Sequence, residues 1–208
     1  MRSLVFGLLI LISTALPRAQ EILLHVDFKN FTYPLNDVRD GRDRFAWLDV
    51  PRKAHSDTTT VIRLVNGRDI SKSSSIVKDG HLYIQQEGFT LQSVEYTDVT
   101  GDGKEDAIIV LHYASGGTQN NNYVYVYSLD DRKPKLLGYF RCGDRAYFGL
   151  RNVYGKNGHL VVELSDPKKR SGDCCSSGFI RARYKWHNGR FEEFGARRSV
   201  ALKKPNHP

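Results

Sequence analysis

The chain has 208 residues, of which 40% are hydrophobic, 11% aromatic and 26% charged. That composition excludes a disordered or collagen-like chain, and at ~100–200 residues per domain a single domain is the expectation. Its 31 Lys and Arg against 23 Asp and Glu give a formal charge of +8, so where that charge sits along the chain matters.

Residues 1–19 read as a signal peptide. Arg2 is a basic start, residues 4–12 are apolar apart from Gly7, and Ser13-Thr14-Ala15 and Pro17-Arg18-Ala19 offer small-residue cleavage sites. The apolar run is far shorter than the ~20 residues that cross a bilayer. No later stretch approaches that length, so the mature chain is expected to lack a transmembrane segment and to be secreted or periplasmic. Cleavage removes Arg2 and Arg18 and no acid, leaving 29 basic residues against 23 acidic, a charge of +6. Residues 20–166 carry 18 basic and 20 acidic residues, whereas residues 167–208 carry 11 and 3. The basic character belongs to the last fifth of the chain.

From residue 20 onward the dominant pattern is alternation with a period of two, the signature of half-buried strands. Residues 53–60 and 70–75 are polar and read as loops. Asn66-Gly67, Asp79-Gly80, Asn157-Gly158 and Asn188-Gly189 are the dipeptides that accept positive φ at both central positions of a type I′ hairpin turn. Residues 107–113 form an apolar run broken only by His112, as in a central strand. Tyr123-Val124-Tyr125-Val126-Tyr127 is an aromatic and β-branched run, and strands over 124–129 and 135–140 are joined by a polar connection over 130–134. Residues 160–164 form a further strand. In the run from Ile180 to Trp186, Ile180, Ala182, Tyr184 and Trp186 share one face, and Arg181, Arg183 and Lys185 share the other. Residues 203–208 read as a flexible tail. No repeat of 40–60 residues is visible, which excludes a propeller of several blades. The expected fold is mostly β: one antiparallel meander or sandwich-like domain of ten to twelve strands over residues 20–202.

One segment has the logic of a metal loop. In Asp98-Val99-Thr100-Gly101-Asp102-Gly103-Lys104-Glu105-Asp106, hard oxygens recur at alternate positions. Asp98, Thr100, Asp102, the Lys104 carbonyl and Asp106 would supply ligands to calcium, which takes about six to eight oxygens. Gly103 allows the sharp reversal. The twelfth position is Ile109 where an EF-hand needs Glu, so that motif is excluded. The spacing D-x-T-x-D-G-x-x-D followed by a strand resembles the calcium loop of FG-GAP/VCBS-type β repeats, over residues 96–113. The resemblance implies a structural calcium ion that stiffens the start of the following strand; a hydrogen-bonded turn with solvated carboxylates is the alternative. More widely, residues 26–34, Gly143-Asp144-Arg145-Ala146, Asp173-Cys174-Cys175 and the stretch from Arg183 to Phe191 resemble a group of secreted bacterial proteins to which no activity is attached.

Export bears on the cysteines, because disulfides persist in oxidising compartments. Vicinal Cys174 and Cys175 would close a strained eight-membered ring, so Cys142 is expected to pair with one of them, leaving an odd thiol. Such a staple would contribute ~3–4 kcal/mol. The Ser115-Gly116-Gly117-Thr118 connection lacks the Lys-Ser/Thr ending of a phosphate-binding loop, no nucleophile elbow is present and the seven His are scattered. Arg181, Arg183, Lys185 and Arg190, with Lys168-Lys169-Arg170 close in sequence, are candidates for binding an anion. For an exported protein the partner would be an envelope polysaccharide or an acidic protein rather than nucleic acid. The leading expectation is a non-catalytic binding or structural module with a structural calcium site. An envelope-associated enzyme or inhibitor-like accessory, with its site between Gly116-Gly117 and the basic strand, is the first alternative. A module binding an anionic polymer through the basic strand is the second.

Overall fold

The computed structural model describes residues 23–35, 60–117, 120–172 and 174–202. The expected signal peptide, nearly all of the polar stretch 53–60 and the tail 203–208 lie outside the described residues. Those that are described form twelve strands in three antiparallel sheets, with one 3-10 turn at Pro167–Lys169. β1 (Thr32–Leu35) pairs with β2 (Thr60–Arg63). β3 (Arg68–Lys78), β4 (His81–Thr97), β5 (Asp106–Ser115), β6 (Asn120–Asp130) and β7 (Lys133–Asp144) follow one another as a five-stranded meander. The last sheet holds β8 (Leu150–Gly155), β9 (Leu160–Ser165), β10 (Gly178–His187), β11 (Arg190–Glu193) and β12 (Arg198–Ala201). Its order is β11-β10-β9-β8, with β12 also pairing with β10. The mostly-β, antiparallel expectation holds.

Period-two alternation explains the layers. Val124 and Val126 on β6, with Ile108 and Val110 on β5, turn to one side of the meander and pack against Val162, Leu164, Ala182 and Tyr184 of the last sheet. The intervening Tyr123, Tyr125 and Tyr127, with Ile109 and Leu111, turn to the other side and meet Leu23, Phe28, Tyr33 and Ile62. Both faces of the meander are therefore buried, and this is why residues 106–111 of β5 are buried without a break. Polar ends inside the aromatic layer find partners. The Tyr33 hydroxyl donates to the Phe28 carbonyl at 2.8 Å and the Tyr125 hydroxyl to that of Pro34 at 3.0 Å. Burial pushes the pKa of both hydroxyls up.

The turn chemistry is as expected. Asn66, Asp79, Asn157 and Asn188 and the glycines after them all have positive φ, between 49° and 78°. On β10, Ala182 and Tyr184 are buried while Arg183 and Lys185 are exposed, as the alternation requires.

Two expectations fail. Residues 70–75 belong to β3 rather than to a loop. β4 pairs with β5 only from Glu87 onward, so residues 71–86 form a two-stranded arm beyond the sheet. An arm wetted on both faces needs no apolar alternation, and Ser- and Lys-rich sequence serves it. The Cys142 pairing fails as well. Cys142 is wholly buried on β7 within the inter-sheet core, whereas Cys174 and Cys175 lie exposed and are bonded to each other. The inward side of β7 that Cys142 occupies is closed off by core side chains, so ring strain in the vicinal pair does not decide the pairing.

Phe140 is fully buried between the two large sheets. Phe140→Ala is expected to lower stability by about 3–5 kcal/mol, read as a lower urea midpoint with an unchanged slope.

Candidate functional site

The outer face of the last sheet collects the basic residues. Residues opposite one another in an antiparallel pair share a face, and the register places Arg198, Arg181 and Glu163 side by side across β12, β10 and β9. Beside them, Arg183 lies opposite Val161, and Val161 opposite Tyr154 on β8. Arg181 is neutralised within the fold. Its Nε and Nη2 both donate to Glu163 Oε1 at 2.7 Å, and the Tyr154 hydroxyl reaches the same oxygen at 3.3 Å. The Glu163 carboxylate in turn holds the Arg181 guanidinium above its ordinary pKa.

Arg183 is held differently. Its guanidinium lies 4.8 Å from the centroid of the Phe194 ring, which also receives the edge of His159 at 4.5 Å. Gly195 turns the chain at φ +71°, and a Cβ there would stand 2.7 Å from Arg183 Nη2. Glycine at this position thus leaves room for the guanidinium. Lys156 and His159, from the β8–β9 turn, complete a pocket of about 220 Å³ with Tyr154, Arg181, Arg183 and Arg198. His159 Nδ1 is enclosed and has no hydrogen-bond partner. Four permanent cations face one carboxylate.

Of the four cationic candidates read from the sequence, Arg181 and Arg183 enter the pocket. Lys185 lies opposite Glu192, and Arg190 donates to Glu192 at 2.8 Å and holds its carboxyl below the usual range. Arg170 stacks on Tyr147 at 4.9 Å, away from the pocket. Sequence reasoning missed Tyr154, Lys156, His159 and Arg198. The Asn157-Gly158 signal marked the turn that carries Lys156 and His159, but nothing local in the sequence places β12 beside β10.

The aspartate loop is folded as a hydrogen-bonded turn. Asp98 Oδ1 accepts from the backbone N–H of Thr100 and Gly101, at 3.1 and 2.6 Å, and Oδ2 accepts from that of Gly103 at 3.0 Å. Asp102 Oδ1 accepts from Lys104 N–H at 2.9 Å. Asp106, fully buried, accepts from Val99 and Thr100 N–H at 3.0 and 3.1 Å through one oxygen. Burial pushes its pKa up, against the pull of the Val99 N–H. Four of the loop's carboxylate oxygens, both of Asp98 and one each of Asp102 and Asp106, are thus turned to its own backbone, whereas Asp106 Oδ1 and the Thr100 hydroxyl are buried without a hydrogen-bond partner. Among the described residues no three His, Cys, Asp or Glu come together as a metal-holding group.

The loop instead meets the pocket's scaffold. A Cβ on Gly158 would stand 2.9 Å from Gly101 Cα, and one on Gly155 would strike the Thr97 side chain. The loop therefore seats the turn that carries Lys156 and His159.

A second concavity, of about 520 Å³, opens where β5 and β6 meet the start of β8. Its walls include Asn122, Arg145, Arg151 and the Cys174–Cys175 disulfide. Comparison of the chain with protein-family models, with curated proteins and with solved structures gives no match in any of the three.

Asp98→Ala removes the acceptor for three backbone N–H groups, and an expected loss of about 1–3 kcal/mol follows. Denaturant melts should show the same loss in millimolar calcium as in chelator; a loss that appears only with calcium would make the loop a metal site.

Proposed function

We propose that the protein is a non-catalytic binding module that recognises an anionic ligand in the pocket on the outer face of its last sheet. The observation that carries this reading is the direct opposition of Arg181 and Arg198 across β10 and β12, with Arg183 and Lys156 in the same pocket. Like charges opposite one another destabilise a sheet. Glu163 offsets Arg181 alone, so a bound anion would relieve the remaining repulsion. Arginine suits the task because its planar fork matches carboxylate, sulfate and phosphate oxygens and stays charged at any working pH. The Phe194 ring fixes one guanidinium in advance, which lowers the ordering cost of binding.

The reading agrees with an exported protein whose basic residues are concentrated at its end, and an envelope polysaccharide is the partner class that fits. It assigns the aspartate loop a supporting role beneath the Lys156–His159 turn.

Polygalacturonate is the probe of choice. Its binding, followed by calorimetry, should weaken as salt rises, because surface charge pairs are screened over about 10 Å at 0.1 M. Arg183→Ala and Arg198→Ala should each weaken binding about five- to thirtyfold, the scale of a charge-assisted hydrogen bond of about 1–2 kcal/mol. Lys185→Ala and Arg190→Ala, which stand with Glu192, should change it less than twofold. Binding that survives Arg183→Ala with Arg198→Ala would remove the pocket from consideration.

A further inference from the structure

The pocket does not stand alone on its face. Phe179, on β10, lies two residues from Arg181, whose guanidinium is 5.4 Å from the Phe179 ring centroid. The Arg151 guanidinium, from the start of β8, is 6.0 Å from the same centroid. Arg181 lines the pocket and Arg151 lines the larger cleft. One aromatic ring, flanked by two guanidinium groups, therefore joins the two concavities.

The cleft is chemically distinct from the pocket. Among its described lining residues there is no carboxylate, while Arg145 and Arg151 both contribute guanidinium groups. Arg145 comes no closer to Asp144 than 3.9 Å, beyond hydrogen-bonding distance. Asn122, whose amide nitrogen donates to Gln92 Oε1 at 2.5 Å, adds an amide oxygen that can accept from a hydroxyl group. Leu150 and the exposed Cys174–Cys175 disulfide add apolar surface. A disulfide between chain neighbours is compact and carries no strong donor or acceptor, so it presents a rigid apolar patch. Cations for acid groups, an amide for hydroxyls and apolar patches for ring faces are the complement of a sugar that bears a carboxylate.

We propose that the pocket and the cleft are the two ends of one track that holds an extended uronic-acid polysaccharide, with Phe179 bridging them. The inference rests on the reading of the pocket as an anion site and adds to it the ligand's class and its length. Short ligands occupy the pocket alone. A chain long enough to pass Phe179 also engages Arg151, Arg145 and the disulfide, and the second engagement is intramolecular, so affinity rises without any change in the pocket. An acidic peptide would supply charge but no sugar ring for Phe179 and the disulfide. A lipid surface suits the track less well. Among the described residues the three most exposed aliphatic side chains, Val77, Leu82 and Ile84, stand on the β3–β4 arm and not beside the track.

The test uses the mature full-length protein and calorimetry with digalacturonate, hexagalacturonate and hexaglutamate at one low salt concentration. The hexasaccharide is expected to bind at least tenfold more tightly than the disaccharide, and more tightly than hexaglutamate. Arg151→Ala and Phe179→Leu should abolish that length advantage while leaving disaccharide affinity within twofold. Arg183→Ala should weaken both sugars. Circular dichroism on each variant checks the fold, and Arg151, being exposed, gives the variant least able to disturb it. Equal affinity for the two sugar lengths, or a length advantage that persists in Arg151→Ala, would overturn the track. Hexaglutamate binding as tightly as the hexasaccharide would overturn the sugar assignment. Disaccharide binding indifferent to Arg183→Ala would instead overturn the pocket itself, so the two failures are told apart.

Discussion

Everything in this fold depends on a five-stranded meander that must bury both of its faces. β6 sets the requirement most clearly, with valine on one side and tyrosine on the other at successive positions. At about 1.5–3 kcal/mol for each large side chain taken out of water, neither row can be left exposed. The last sheet covers the valine side, and β1, β2 and residues 23–31 cover the tyrosine side. Tyrosine is tolerable in that second layer because its hydroxyl can be satisfied at the layer's edge, as Tyr125 is at the Pro34 carbonyl.

That division of labour leaves one large surface without a structural duty. The last sheet spends its inner residues, Ala182, Tyr184 and Phe191 among them, on the core, and its outer residues are consequently open to chemistry. Strand β10 uses them for Arg181, Arg183 and Lys185. A row of solvated charges would serve solubility if the cations were scattered or paired off, and Arg190 with Glu192 behaves in that way. Around Arg183 the arrangement is different, because an aromatic ring and a glycine turn are committed to fixing one guanidinium. Side-chain order of that kind costs conformational entropy and brings no core burial in return.

Much of the scaffold was legible in the sequence because its signals are local. An Asn-Gly or Asp-Gly pair needs no partner to favour positive φ, and the four pairs read as hairpin turns all adopt it. The face assignment of residues 180–186 followed from alternation alone. The misreadings share a cause, which is dependence on distant chain. Residues 70–75 look like a loop because their strand is held by backbone pairing with β4 rather than by a buried face. Cys142 looks available for pairing until the core that encloses it is assembled. Arg198 stayed hidden because β12 returns to β10 alongside β11, an arrangement that fixes it opposite Arg181 and that no short window contains.

The aspartate loop shows how a local motif and its setting part company. Its spacing suits a ring of oxygens around a cation, yet the same spacing also suits a chain of Asx turns, since a carboxylate two or three residues upstream of an N–H accepts from it readily. Asp98 serves three N–H groups and one oxygen of Asp106 serves two, so these two carboxylates tie the loop to its own backbone. Rigidity matters here because Gly101 presses on Gly158 with no room for a methyl group. The turn bearing Lys156 and His159 is therefore seated on a surface that cannot yield. An acidic loop beneath a basic pocket would compete for the pocket's cations if its carboxylates were loose. Turned inward onto the backbone, the carboxylates of Asp98 and Asp106 brace the pocket's wall instead of pairing with its cations.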